Sequence, residues 1–150
     1  MGIETVEPEQ RTKIIETLYT GLEDYAIDRR GDVGSWVRQQ AMEALNTFIH
    51  AVVECEDLTV RKQLGADTAA FYERFICAYL QQLNEKIDRI REQAGCNLQK
   101  FFKFTVPKLS NINFSMKDEL TALFIQEIDG VPVGMDGISH LPWRSAKFVF

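Results

Sequence analysis

Between Pro8 and Pro107 the chain contains no proline. Inside a helix, proline removes a backbone hydrogen bond and clashes with the preceding turn, at about 3 kcal/mol. A stretch this long without one predicts that residues 9–106 are almost wholly helical. The C-terminal part contrasts with it: Pro132 and Pro142, with Gly130, Gly134 and Gly137, predict an irregular loop over 129–146. The longest strand pattern is Lys147–Phe150, too short to carry weight.

Apolar residues recur with the spacing of one helix face. Ile14, Ile15, Leu18, Leu22, Tyr25 and Ala26 form a first stripe over 9–27, and Val37, Ala41, Ala44, Leu45, Phe48, Ile49 and Val52 a second over 34–55. Phe71, Phe75, Ile76, Tyr79, Leu80 and Leu83 make a third, and Ile87, Ile90, Ala94, Leu98, Phe101 and Phe102 a fourth. Residues 68–104 are one long helix or two broken near Asn84. Charged residues 56–67 read as a loop or short helix. Ser115 followed by Asp118 reads as a capping box opening a further helix, with Leu120, Leu123 and Phe124 inward.

A repeat lies within this pattern. Asp32 is followed by Val37, Arg38, Ala41 and Leu45, and Glu85 by Ile90, Arg91, Ala94 and Leu98, at equal spacing. This is the second-helix pattern of a HEAT-type repeat. Val37/Ile90 and the leucines would point into the layer between stacked helix pairs, and Ala41 and Ala94 would permit close helix approach. Arg38 and Arg91 would pair with the acids at the turn. The fold class expected is all-α: a HEAT-like α-solenoid of antiparallel helix pairs. Two repeats fall short of the roughly three that a solenoid needs, and the chain ends on the apolar run Ala146-Lys147-Phe148-Val149-Phe150. Residues 1–150 are therefore expected to be a segment of one helical domain and longer superhelix, continuing beyond 150.

Charge and composition narrow the function classes. Seventeen Lys+Arg against 22 Asp+Glu give a net charge of −5, which argues against a nucleic-acid binder with a broad basic face. No apolar run reaches the roughly 20 residues needed to span a bilayer, so no membrane insertion is expected. Cys55, Cys77 and Cys96 form neither an even disulfide set nor a close metal-binding pair, and they read as reduced, mostly buried thiols in an intracellular protein. His50 and His140 are the only histidines. No nucleophile–base set stands out, so catalytic residues, metal and cofactor are all expected to be none. Short motif matches mislead. Arg30-Gly31-Asp32, the sequon at Asn113 and the internal Lys117-Asp118-Glu119-Leu120 have no secretory context. Met1-Gly2 lacks Ser or Thr at Val6, and Gly31-Asp32-Val33-Gly34 lacks the ending of a phosphate loop.

Two blocks carry a family resemblance. Asp24-Tyr25-Ala26-Ile27-Asp28-Arg29-Arg30-Gly31-Asp32-Val33-Gly34-Ser35-Trp36-Val37-Arg38 resembles the DY-x-x-D-x-RGDVG-x-WVR signature of the tubulin-folding cofactor D family. Gln81 through Gly95, containing Glu85-Lys86-Ile87-Asp88-Arg89, resembles its QQ-x-x-EKIDR-x-R-x-x-A segment. Pro107 to Phe124 is more weakly similar. Arg29 stands where the family has a small residue, and Gln39-Gln40 replaces a Lys/Glu-Ala pair. The resemblance covers about residues 16–150 and places them in the C-terminal domain of such proteins.

The resemblance implies a large HEAT-repeat chaperone, cytoplasmic and associated with the microtubule cytoskeleton. Such proteins bind β-tubulin and, with cofactors C and E, take part in post-chaperonin assembly of the α/β-tubulin heterodimer. They associate with a small GTPase of the ADP-ribosylation-factor-like class, and the assembly stimulates GTP hydrolysis by tubulin. The chain itself is then no enzyme. The alternative is a generic HEAT-repeat interaction scaffold without tubulin specificity.

The Asp24–Arg38 block has two readings. As a structural turn, it uses Gly31 and Gly34 for unusual backbone angles, Asp32 as a helix cap and Trp36 as packing across the repeat interface. As a binding surface, it offers Asp28, Arg29, Arg30 and Asp32 to a protein partner, with the two arginines steering an acidic one. Arg38 and Arg91 read as structural members of the repeat, with Glu85, Asp88 and Ala94, rather than as arginine fingers.

Overall fold

The structure, a computed structural model, describes residues 2–125. Loop 129–146, the run Ala146–Phe150 and His140 lie outside the described residues. The described residues are all-α apart from one very short hairpin. It divides into two compact units, Met1–Ala78 and Tyr79–Phe150.

In the first unit, α1 spans Pro8–Leu22, with proline in its first turn, where no N–H is needed. Instead of running to residue 27 it stops at Leu22. The Asp24 carboxylate accepts the Ala26 N–H at 2.9 Å, and the Ala26 carbonyl accepts the Gly34 N–H at 2.9 Å. Both bonds compete with helix continuation, so Tyr25 and Ala26 leave the first stripe and are exposed. A two-stranded antiparallel hairpin follows, β1 (Ile27–Asp28) against β2 (Gly31–Asp32), with Ile27 opposite Asp32 and Asp28 opposite Gly31. Helix α2 (Gly34–Glu54) then packs on α1.

Their contact is close, since a Cβ built on Gly21 would lie 3.0 Å from the Ala41 Cβ. The core holds Ile15, Tyr19 and Leu22 from α1 and Met42, Leu45, Ile49 and Val52 from α2. Ile14 and Ala44, expected inward, are exposed. Residues 56–67 contain a short helix, α3 (Leu58–Leu64). Asp57 caps it by accepting the Thr59 N–H, and Gly65 closes it in the left-handed region at φ 74°. Buried Arg11 ties the start of α1 to this region, donating to the Val6 carbonyl and to Gln63 Oε1.

Residues 68–104 hold two helices. Helix α4 (Ala69–Leu83) begins in the first unit and ends in the second, and α5 spans Asp88–Lys100. At the break the Asn84 side chain donates back to the Leu80 carbonyl at 2.8 Å, and Asn84 and Glu85 make three-residue turns.

In the second unit, α5 runs into a π-helical turn, Phe101–Thr105, and a short 3₁₀ turn, Val106–Lys108. The wider turn stands ahead of Pro107, which has no N–H to offer the preceding turn. Helix α6 spans Lys117–Ile125 and buries Leu120 and Phe124, with Leu123 half-buried. It opens two residues after Ser115, through Met116 at φ 58°. Phe102 and Phe124 stack with centroids 5.3 Å apart and planes 2° from parallel, and Ile90, Leu98, Phe101 and Phe114 complete the core.

The cysteines are free. Cys55 is buried and Cys96 half-buried, but Cys77 is exposed, against the expectation of mostly buried thiols. It sits on the side of α4 away from the face that buries Phe75, Ile76 and Tyr79.

Candidate functional site

The connection between α1 and α2 concentrates the unusual chemistry of the first unit. Arg38 lies at its centre, and its side chain is fully buried. One guanidinium nitrogen, Nη1, donates to the Asp24 carbonyl at 2.6 Å, and Nη2 to Asp32 Oδ2 at 3.0 Å. The Tyr25 ring lies 4.2 Å from the guanidinium carbon. Asp32 works twice, because Oδ1 also accepts the Ser35 N–H at 2.9 Å at the start of α2. A buried cation needs such an enclosure, since an unpaired one would be strongly penalised.

Both glycines of the turn are required. Gly31 adopts φ 105°, which side-chain-bearing residues rarely reach. A Cβ on Gly34 would fall 2.3 Å from the Asp24 carbonyl oxygen and 2.7 Å from the Ala26 nitrogen. That carbonyl is the oxygen Arg38 binds, so Gly34 lets the two strands of chain close around the guanidinium.

The outer side of the same turn faces water. Arg30 folds over Asp28, with Nε and Nη2 on Oδ2 at 2.9 and 2.6 Å, while its own N–H bonds Oδ1. These bonds hold the Asp28 carboxyl below its usual range. The Arg30 guanidinium stands 5.5 Å from the Trp36 ring centroid. Arg29 is exposed, and its guanidinium makes no ion pair among the described residues. The expectation that Trp36 packs across the repeat interface differs from the structure, for Trp36 is 49% exposed. Val37, expected inward, is 44% exposed. The reason is helical phase: α2 turns Ser35, Arg38, Ala41 and Met42 inward, which carries residues 36 and 37 outward.

Of the four residues expected to offer a charged surface, three are thus committed within the turn. Asp32 holds Arg38, and Asp28 and Arg30 hold each other. The other large side chains exposed in this segment, besides Arg29, are apolar and aromatic: Ile27, Tyr25, Trp36 and Val37. Exposed aromatics beside arginine are the composition of interface hot spots. Spacing puts Tyr25 on the inward stripe and gives no signal for Ile27; the early end of α1 exposes the first, and the hairpin, only two residues long on each side, exposes the second.

The second block of the repeat is built differently. Arg91 pairs with Asp88 and donates to the Glu85 carbonyl at 3.0 Å, and its side chain is 33% exposed. Ile90, Ala94 and Leu98 are fully buried. Among the described residues, no group of three or more His, Cys, Asp or Glu is placed to hold a metal ion. No helix there is long and apolar enough to cross a membrane.

Comparison with known proteins adds family evidence. The chain is 29% identical to Tubulin-specific chaperone D of Dictyostelium discoideum, over 78% of its own length and 8% of that protein's. It therefore spans only a small part of this relative. No solved structure matches the chain. The family described as tubulin folding cofactor D C terminal matches residues 73–150, taking in the Gln81–Gly95 block and starting beyond the Asp24–Arg38 block. That match takes in more than half of the chain, which belongs to the tubulin folding cofactor D C-terminal family.

Proposed function

We propose that the chain is a non-catalytic binding segment of a cytoplasmic tubulin-folding cofactor, and that it contacts β-tubulin during assembly of the α/β heterodimer. The observation that carries this reading is membership of the cofactor D C-terminal family. The name of its Dictyostelium discoideum relative points the same way. The outer face of the α1–α2 turn supplies a physical means. Trp36, Tyr25, Ile27 and Val37 offer exposed apolar area on a rigid base, and Arg29 offers a cation for an acidic partner.

The working mechanism is differential binding. A chaperone surface that favours one state of its client shifts the client's population towards that state without making a bond. In the full-length parent, this segment would act with cofactors C and E and an ADP-ribosylation-factor-like GTPase. Stimulation of tubulin GTP hydrolysis would belong to that assembly, and so would association with the microtubule cytoskeleton. Continuation of this helical segment into a longer HEAT-type superhelix forms part of the same proposal.

The test is co-elution of the chain with αβ-tubulin on size exclusion, alongside an Arg29→Glu/Trp36→Ala variant shown to be folded by circular dichroism. Co-elution of wild type and its loss in the variant is the expected result. Co-elution that survives in the variant moves the contact away from the turn. A folded wild-type chain that never co-elutes overturns tubulin binding by this segment.

A further inference from the structure

The second unit carries a charge pattern opposite to that of the chain as a whole. From Gln93 to Lys117 there is no Asp or Glu, while Lys100, Lys103, Lys108 and Lys117 all fall within it. The whole chain has a net charge of −5, so the acidic excess lies outside this stretch. Lys117 is taken up inside the fold, donating to the carbonyls of Leu109 and Ile112 at 3.1 and 2.8 Å. The other three are exposed.

Their placement is ordered. Along the continuous run from the end of α5 through the π turn to the 3₁₀ turn, Phe101, Phe102, Thr105, Val106 and Leu109 are buried. Lys100, Lys103, Phe104, Pro107 and Lys108 are exposed. Burial separates the two sets, so the exposed residues lie on the side of this run away from the core. Phe104 is 60% exposed, although both neighbouring phenylalanines of the turn are in the core, and the Lys103 ammonium lies 5.5 Å from its ring centroid. Lys100 and Lys103 make no ion pair among the described residues. A cationic ridge bearing an exposed ring has the chemistry to take carboxylates on its flanks and an apolar side chain at its centre.

We propose that this ridge docks an acidic protein segment, with carboxylates on Lys100 and Lys103 and an apolar or aromatic side chain against Phe104. Charge complementarity selects the partner: the chain is acidic overall, so a long polyanion such as a nucleic acid would be repelled outside this short ridge. The inference does not depend on tubulin binding, and it concerns residues of the second unit, whereas Arg29 and Trp36 belong to the first.

The experiment is fluorescence anisotropy of the whole chain with a short fluorescein-labelled Glu-rich peptide containing one phenylalanine. Binding is expected at low salt. It should weaken at least about tenfold in Lys100→Glu/Lys103→Glu, and most of it should vanish near 1 M salt, where the screening length falls to about 3 Å. Phe104→Ala is expected to weaken it severalfold, and Lys13→Glu on α1 to leave it unchanged. Lys100→Gln/Lys103→Gln repeats the test without charge reversal. No binding by the folded wild-type chain overturns the proposal, as does equal binding by the ridge variants. A chain that ignores the peptide but sediments with anionic phosphatidylserine vesicles, or binds oligo-dT, also overturns it. Because no tubulin is present, its failure is distinct from failure of the tubulin reading.

Discussion

Arg38 reaches back across the α1–α2 connection to the carbonyl of Asp24, at 2.6 Å, with its side chain wholly out of water. The bond joins the residues just after α1 to the first turns of α2. Removing the guanidinium leaves the Asp32 carboxylate and a backbone carbonyl without their buried donor. Arg38→Ala is expected to cost roughly 3 kcal/mol. Arg38→Lys should recover only part of this, because one ammonium cannot reproduce the fork. Urea unfolding of both variants checks the expectation, and wild-type midpoints would show the enclosure to be energetically idle.

Gly34→Ala tests the same enclosure through sterics. The added methyl would overlap the Asp24 carbonyl, so backbone must move. A loss of about 1–3 kcal/mol is expected, with the helical circular dichroism of α1 and α2 retained at low temperature. An unchanged midpoint would mean that the two chain segments are further apart than the structure places them.

Trp36→Ala should behave in the opposite way. A half-exposed ring contributes less than a core one, so the loss should stay below about 1.5 kcal/mol instead of the 3–5 kcal/mol typical of a buried tryptophan. Thermal denaturation separates the two values. A large loss would return Trp36 to the interior.

Phe102 and Phe124 are stacked in the second unit and both are buried. Each alanine replacement should cost about 3–5 kcal/mol. The double mutant should fall short of the sum by about 0.5–1.5 kcal/mol, the coupling of an aromatic pair. Strict additivity in a double-mutant cycle would contradict the stacking.

Glu16 and Arg74 form a bidentate pair at 2.5 and 2.8 Å, about half exposed on both sides. The hydrogen bonds from Arg74 hold the Glu16 carboxyl below its usual range. A group with a depressed folded pKa adds stability that is present above its unfolded pKa and fades as pH falls through the folded one. The pair faces solvent, so the contribution at neutral pH should be below about 1 kcal/mol. Glu16→Gln is therefore expected to be slightly less stable than wild type at neutral pH, with the gap closing below about pH 4. A gap that widens on acidification would reverse the sign of the shift.

The helices are legible in the sequence because proline is absent and the apolar residues repeat at helical spacing. Buried Ile15, Leu45, Ile49, Ile90 and Leu98 all belong to those stripes. Where the reading departs from the structure, short-range polar bonds outcompete periodicity. The Asp24 side chain stops α1 before Tyr25, and the hairpin turns Ile27 outward. Helical phase then moves Trp36 and Val37 to the surface, since apolar spacing alone fixes the inward face only to within one position. The acid–arginine pairing shows the same limit. Asp32 meets Arg38 across six residues, whereas in the second block Arg91 takes Asp88, three residues away, as its carboxylate partner. The exposed Phe104 is hidden by its company, because in Phe101-Phe102-Lys103-Phe104 only the π turn decides which rings go inside.

The enclosure around Arg38 also bears on the order of folding. Its bonds join residues no more than 14 positions apart, so little loop-closure entropy opposes them. The two helices they join are neighbours in sequence and pack on each other. Contacts this local form early, and during synthesis the N-terminal part of a chain folds first. On a translating ribosome, the pair α1 and α2 has what it needs to close before the second unit exists, giving α3 a finished surface to meet.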